Sequence, residues 1–101
     1  MAEFQKVATI TDVPAGTGKV VEVGGKAIAL FNCEGRIFAI DNTCRHRGGP
    51  LGDGSLSGTT VTCPWHGWEY EVTTGVCALD PGTKVDTFDV KVEGHEILVR
   101  V

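Results

Sequence analysis

Hydrophobic and polar residues alternate along the last part of the chain, a pattern typical of strands with one buried face. The alternation predicts two closing strands whose inward residues are Phe88, Val90 and Val92, then Ile97, Val99 and Val101. Residues 4–8 predict a first strand of similar length at the other end of the chain. The short strands and turn glycines between these ends leave little room for a helix.

Turn-forming pairs separate the next hydrophobic runs. Gly24-Gly25 divides residues 20–23 from residues 27–31, and Glu34-Gly35 divides the second run from residues 36–40. A Gly-Gly pair supplies the positive φ that a tight two-residue turn requires. The first half of the chain therefore predicts two successive β-hairpins.

The second half adds shorter segments of the same kind. Residues 59–62 and 68–72 predict an antiparallel pair, and residues 76–79 predict a short strand before the turn at Pro81-Gly82. We therefore expect an all-β fold, with a small antiparallel β-sandwich or barrel as its base. The expected base covers residues 1 to about 41 and about 80 to 101, with an inserted subdomain over about 42–79.

Length and charge narrow the range of functions. A chain of 101 residues fits one domain. Its formal charge of −4 argues against nucleic acid as a partner, because no basic stripe is present to neutralise phosphates. Residues 1–13 lack the apolar run of a signal peptide or membrane anchor. We therefore expect a soluble, cytoplasmic protein that contacts no membrane.

Two short Cys/His clusters lie within the predicted insertion. Cys44-Arg45-His46 and Cys63-Pro64-Trp65-His66 are separated by sixteen residues. Each cluster places a thiolate and an imidazole close together on one turn, so two such loops offer a four-ligand set. This set suits either zinc or an iron–sulfur cluster, since both accept tetrahedral coordination by sulfur and nitrogen.

The order of the ligands favours iron. Common zinc patterns place two cysteines before two histidines, and the histidines share one face of a helix. Here each cluster mixes one Cys with one His, and a predicted strand follows the second cluster. Such loops can give both cysteines to one iron and both histidines to the other, as a 2Fe-2S centre with two histidine ligands requires. A structural zinc site remains the alternative.

These residues resemble the Rieske 2Fe-2S motif. The similarity covers Cys44-Arg45-His46-Arg47-Gly48 and Cys63-Pro64-Trp65-His66-Gly67-Trp68, with Leu51-Gly52 and Thr74-Gly75 nearby. The resemblance implies that residues 42–79 form a cluster-binding subdomain in a Rieske-like fold. It implies one 2Fe-2S cluster per chain, with one iron bound by Cys44 and Cys63 and the other by His46 and His66.

The resemblance is to the Rieske ferredoxins of oxygenase systems rather than to the Rieske proteins of cytochrome complexes. The latter carry two extra loop cysteines in a disulfide, and Gly49 and Trp65 stand at the corresponding positions here. A mononuclear iron site needs two further histidines, and only His95 remains. We therefore expect no catalytic residues and a one-electron carrier instead. Its implied partners are an NAD(P)H-dependent flavoprotein reductase and a terminal oxygenase.

Some interpretations stay open at this stage. A second hypothesis is that the chain is the small Rieske-like subunit of an assimilatory nitrite reductase. Trp65 fits equally a hydrophobic lid over the cluster and a docking residue for a redox partner. Cys33 and Cys77 lie outside both clusters and are expected to be small buried thiols, and His95 is expected to be a solvated turn residue.

Overall fold

Two antiparallel sheets form the fold in a computed structural model, which describes residues 4–44, 49–65, 67–78, 80 and 82–100. Within those ranges the helical elements are two short 3₁₀ turns, Ile10–Asp12 and Leu51–Asp53, and neither could cross a membrane. The all-β prediction is confirmed. The strands in chain order are β1 Phe4–Thr9, β2 Gly18–Val23, β3 Lys26–Cys33, β4 Arg36–Asp41, β5 Ser55–Ser57, β6 Thr60–Thr62, β7 Glu69–Glu71, β8 Thr87–Glu93 and β9 Glu96–Arg100.

The larger sheet has six strands in the order β1-β9-β8-β4-β3-β2, and every neighbouring pair is antiparallel. β1 and β2, at the two ends of this order, also lie in contact, so the sheet curls towards a closed barrel. Both predicted hairpins are confirmed as β2-β3 and β3-β4. Their turn residues Gly24, Gly25, Glu34 and Gly35 all have positive φ, between 56° and 93°.

Strand β3 is the centre of the hydrophobic core. Its run Ile28-Ala29-Leu30-Phe31 is fully buried, which means that both of its faces are covered. Ile28 and Leu30 pack on the barrel side with Ile97 and Val99 of β9. Ala29 and Phe31 face a second core, which β3 shares with the smaller sheet and both cysteines of the Cys/His clusters. The ligand loops are therefore built on the most buried strand of the protein.

The smaller sheet has three strands in the order β5-β6-β7. The pairing of β6 with β7 confirms the predicted antiparallel pair. Strand β5 was not predicted, because Ser55-Leu56-Ser57 offers only one apolar residue as a signal. The sheet falls within residues 42–79, and the assignment of that whole range to a separate subdomain stays a prediction.

The predicted strand over residues 76–79 is wrong. Val76 and Cys77 make only isolated bridges, to Lys84 and Tyr70, and Leu79 lies outside the described residues. Just before this segment Gly75 has a φ of 79°, and a Cβ there would lie 2.2 Å from the carbonyl oxygen of Val85, ten residues further along the chain. The segment is held by isolated bridges, to β7 on one side and to residues 83–85 on the other, and not by a continuous ladder.

The predicted buried face of β8 is only partly formed. Ile97 and Val99 of β9 are fully buried as predicted, but Val92 of β8 is 45% exposed. β8 pairs with β4 only at Thr87 and Phe88 and then continues alongside β9 alone. A groove of about 300 Å³ opens where β4 and β8 separate, so the end of β8 has no neighbour to cover its apolar face.

Candidate metal centre

Each Cys/His cluster lies on a loop that is closed by backbone hydrogen bonds. In the first loop the Cys44 N–H donates to the Gly49 carbonyl at 2.9 Å, beside a bridge between Thr43 and Pro50. In the second loop the Cys63 N–H donates to the Trp68 carbonyl at 2.7 Å. The second loop joins β6 to β7, so an antiparallel pair holds its two ends.

Asn42 closes the mouth of the first loop. Its backbone carbonyl accepts the Leu51 N–H at 2.7 Å, and its side-chain Oδ1 accepts the Gly52 N–H, also at 2.7 Å. The backbone at Gly52 packs directly on β2, because a Cβ there would lie 2.5 Å from a methyl group of Val20. The first loop therefore leaves and re-enters the core at one fixed point.

The structure brings Cys44 and Cys63 together beneath the loops. They are 2% and 1% exposed, and their thiols are close enough to influence each other electrostatically. Cys63 Sγ accepts the backbone N–H of Trp65 at 3.4 Å, and Cys44 Sγ lies 3.4 Å from the Tyr70 hydroxyl. Each sulfur is thus placed next to a hydrogen-bond donor, as a metal-bound thiolate requires.

The electrostatics of this pair favour a bound cation. Burial raises the pKa of the Cys63 thiol, the Trp65 N–H lowers it, and the neighbouring Cys44 raises it further. Two adjacent buried thiolates repel each other, and the positive charge of a bound metal ion would offset this repulsion and keep both thiols deprotonated. The two sulfurs and their donors therefore fit the cysteine side of a 2Fe-2S centre.

The other two predicted ligands, His46 and His66, lie outside the described residues. Their assignment as ligands of the second iron therefore stays a prediction. Arg45, Arg47 and Gly48, which belong to the motif of the first cluster, also lie outside the described residues.

The cysteines outside the clusters behave as predicted. All four cysteines fall within the described residues, and none forms a disulfide. Cys33 is 7% exposed and Cys77 is fully buried. Burial raises the pKa of the Cys33 thiol, with further contributions from Glu71 and Glu34, which is the opposite of what a reactive thiol needs. His95 is an exposed residue in the β8-β9 turn, and its prediction is also confirmed.

Sequence reasoning missed Tyr70. This residue is the middle of β7, fully buried between the outward-facing Glu69 and Glu71, and its hydroxyl reaches Cys44 Sγ. The alternation of charged and aromatic residues was a usable signal, because a buried tyrosine hydroxyl needs a polar partner. What the sequence could not give was the identity of that partner, which is 26 residues away along the chain.

Residues 3–99 match the Rieske [2Fe-2S] domain family. Over 95 residues the chain is 38% identical to the ferredoxin component of the naphthalene 1,2-dioxygenase/salicylate 5-hydroxylase systems of Ralstonia sp. That similarity covers 93% of this chain and 91% of the relative.

Solved structures agree with this similarity. The ferredoxin of carbazole 1,9a-dioxygenase from Nocardioides aromaticivorans IC177 is 30% identical, with a TM-score of 0.89 over 95% of both chains. A chain in a complex of reduced oxygenase and oxidised ferredoxin of carbazole 1,9a-dioxygenase is 32% identical, with a TM-score of 0.86 over 95% of this chain and 91% of that one. The paired buried cysteines, the fold and these relatives lead to one conclusion: the chain belongs to the Rieske 2Fe-2S family, in the group of ferredoxins of dioxygenase systems.

Proposed function

We propose that Cys44 and Cys63 bind one iron of a 2Fe-2S cluster and that His46 and His66 bind the other. The observation that carries the cysteine half is the buried pair of sulfurs, each beside a hydrogen-bond donor. The histidine half rests on the spacing of the two clusters, since each histidine lies within three residues of its cysteine. Zinc is disfavoured because the chain belongs to a family that holds 2Fe-2S clusters.

The protein is an electron carrier that serves a terminal oxygenase, and it is not itself an enzyme. When bound, the cluster takes up and releases single electrons. The protein's own residues hold the two sulfurs at fixed positions and keep them from water. The Trp65 N–H donates to Cys63 Sγ, and a metal-bound Cys44 thiolate, which has no proton, would accept the Tyr70 O–H, so both donors would stabilise negative charge on the sulfurs.

The carrier needs an electron donor as well as an acceptor. A 2Fe-2S cluster exchanges one electron at a time, whereas NAD(P)H gives up a hydride, so a flavin is the chemistry that links them. The proposed donor is therefore an NAD(P)H-dependent flavoprotein reductase, and the proposed acceptor is a terminal oxygenase. NAD(P)H is made in the cytoplasm, which is the proposed location of this protein.

The nitrite reductase reading is not favoured. A relative that is 38% identical over almost the whole chain is a ferredoxin component of dioxygenase and hydroxylase systems. This similarity favours an electron carrier of an oxygenase system over a subunit of a nitrite reductase.

A reconstituted oxygenase assay tests the proposed partners. The holoprotein is mixed with the reductase and terminal oxygenase of a naphthalene 1,2-dioxygenase system, NADH and naphthalene, and Cys63→Ser protein serves as the matched control. We expect product to form in proportion to the holoprotein and not with the control. If the reductase reduces the holoprotein while the oxygenase stays oxidised at every concentration, the proposed acceptor is wrong.

Tyr70 gives a prediction about the reduction potential. Tyr70→Phe keeps the buried ring and removes only the hydroxyl that lies next to Cys44 Sγ. Because that O–H stabilises the more electron-rich reduced state, its loss should lower the potential by about 20–60 mV, the equivalent of one net hydrogen bond. Voltammetry on both proteins measures the shift, and an unchanged potential would mean that the hydroxyl does not donate to the sulfur.

A further inference from the structure

Gly49 and Trp65 join the two ligand loops. Gly49 is in the first loop and Trp65 is in the second. A Cβ built on Gly49 would lie 3.0 Å from Trp65 Cγ and 3.1 Å from Trp65 Cβ. The base of the Trp65 side chain therefore rests directly on the Gly49 backbone, an approach that only glycine permits.

The same glycine also packs against a cluster ligand. Its Cβ position lies 2.7 Å from Cys63 Sγ, closer than real Cβ atoms come to a neighbour. Trp65 reaches that sulfur too, because its backbone N–H donates to Cys63 Sγ at 3.4 Å. Gly49, Cys63 and Trp65 thus form one packed unit that includes a residue of the first loop and a ligand of the second.

Each loop closes on itself, through Cys44 to Gly49 in one and Cys63 to Trp68 in the other. Between the described residues of the two loops, no backbone hydrogen bond runs from one loop to the other. The packing of Trp65 and Cys63 on Gly49 therefore joins the two loops where no backbone hydrogen bond links their described residues.

We infer that Trp65 is a positioning residue that clamps the two ligand loops together through Gly49. This inference rests on the proposed cluster ligands and adds a residue that keeps them in place. The clamp works because the base of the Trp65 side chain packs on the Gly49 backbone and prevents the loops from separating, so that water and chelators do not reach the cysteine sulfurs. Trp65 is 49% exposed, so about half of its surface is covered by the protein and the rest faces solvent.

The solvent-facing half of Trp65 is what a docking role would use. The two roles predict different defects. A clamp controls how fast the cluster is lost, whether or not a partner is present, whereas a docking residue controls only the rate of transfer to the acceptor.

The first test compares cluster loss in holoprotein variants under an iron chelator, followed by visible absorption well below the melting temperature. Trp65→Ala should lose its cluster roughly tenfold faster than wild type, since the change removes most of the side chain that packs on Gly49. Trp65→Phe should retain most of the protection. Val92→Ala is the matched control, because Val92 is similarly exposed at 45% but belongs to β8.

A covalent replacement gives the second test. Disulfides have Cβ–Cβ distances of about 3.5–4.5 Å, and the Gly49 and Trp65 Cβ positions are 3.1 Å apart. A small opening of the loops, which would also relieve the 2.7 Å approach of the new Cβ to Cys63 Sγ, would therefore admit a disulfide in Gly49→Cys/Trp65→Cys. The oxidised double variant should lose its cluster as slowly as wild type, and the same protein with its disulfide reduced should lose it as fast as Trp65→Ala. Wild type with and without the reductant controls for direct effects on the cluster.

The outcomes separate the possibilities. Equal rates of cluster loss in wild type and Trp65→Ala would overturn the clamp, and slower transfer to the acceptor in that variant would identify docking as the role of Trp65. If the double variant does not assemble a cluster, the rates of cluster loss in Trp65→Ala and Trp65→Phe still test the clamp. A wild-type protein that holds no cluster at all would contradict the proposed ligands instead, which is a distinct result.

Discussion

Cys63→Ser is expected to abolish the visible absorption of the protein and to lower its stability substantially. A serine hydroxyl is a poor ligand for iron, and the change also removes the sulfur that accepts the Trp65 N–H. The ligand loops bury their cysteines but contribute little other apolar surface, so metal binding and folding are coupled. We expect a loss of at least about 2 kcal/mol, or roughly 10 °C in melting temperature for a domain of this size.

Cys33→Ser is the matched control for this experiment. Cys33 is a buried thiol of the same hydrophobic core, and it lies outside both ligand loops. Its replacement should cost stability through the burial of a hydroxyl and should leave the visible spectrum intact. A Cys63→Ser protein that keeps the full spectrum and the wild-type melting temperature would show that Cys63 is not a ligand.

Asn42→Ala is expected to destabilise the protein by about 1–3 kcal/mol and to accelerate cluster loss. The side chain is 9% exposed, and its Oδ1 accepts the Gly52 N–H at 2.7 Å, so the change leaves a buried donor without a partner. That hydrogen bond also closes the mouth of the first ligand loop. Chemical denaturation of the holoprotein and chelator-driven bleaching measure the two effects.

Asn32→Ala provides a comparison at a second buried asparagine. Asn32 is 4% exposed, donates to the Val13 carbonyl and accepts the Gly35 N–H, both at 2.8 Å, in the six-stranded part of the fold. Its loss should destabilise the protein by a similar amount without changing cluster loss at temperatures where both variants stay folded. Equal bleaching rates for the two variants would mean that Asn42 has no special role in holding the loop.

Local sequence signals were sufficient for much of the fold. The turns at Gly24-Gly25 and Glu34-Gly35 could be predicted because positive φ is a property of a few residue types at adjacent positions. Strand β9 could also be predicted from a local pattern, because Ile97 and Val99 alternate with outward residues. Burial of Cys33 and Cys77 also followed from their residue type.

Features that depend on distant parts of the chain were not predictable in the same way. The exposure of Val92 results from the separation of β8 from β4, which no pattern within β8 reveals. The failed strand at 76–79 depends on the contact between Gly75 and the Val85 carbonyl. At the metal centre, residue spacing predicted the cysteine pair, but the hydroxyl of Tyr70 reaches Cys44 only because β7 folds back beneath the first loop.

The most direct test of the central claim is an anaerobic electron titration of the holoprotein, made with ¹⁵N-labelled histidine. Dithionite is added in steps, and visible absorption and electron paramagnetic resonance are recorded at each step. We predict reversible uptake of one electron per chain, with a reduced-state signal that shows coupling to the labelled histidine nitrogens. A protein that takes up no electron, or a reduced cluster without nitrogen coupling, would contradict an electron carrier with Cys44, Cys63, His46 and His66 as its ligands.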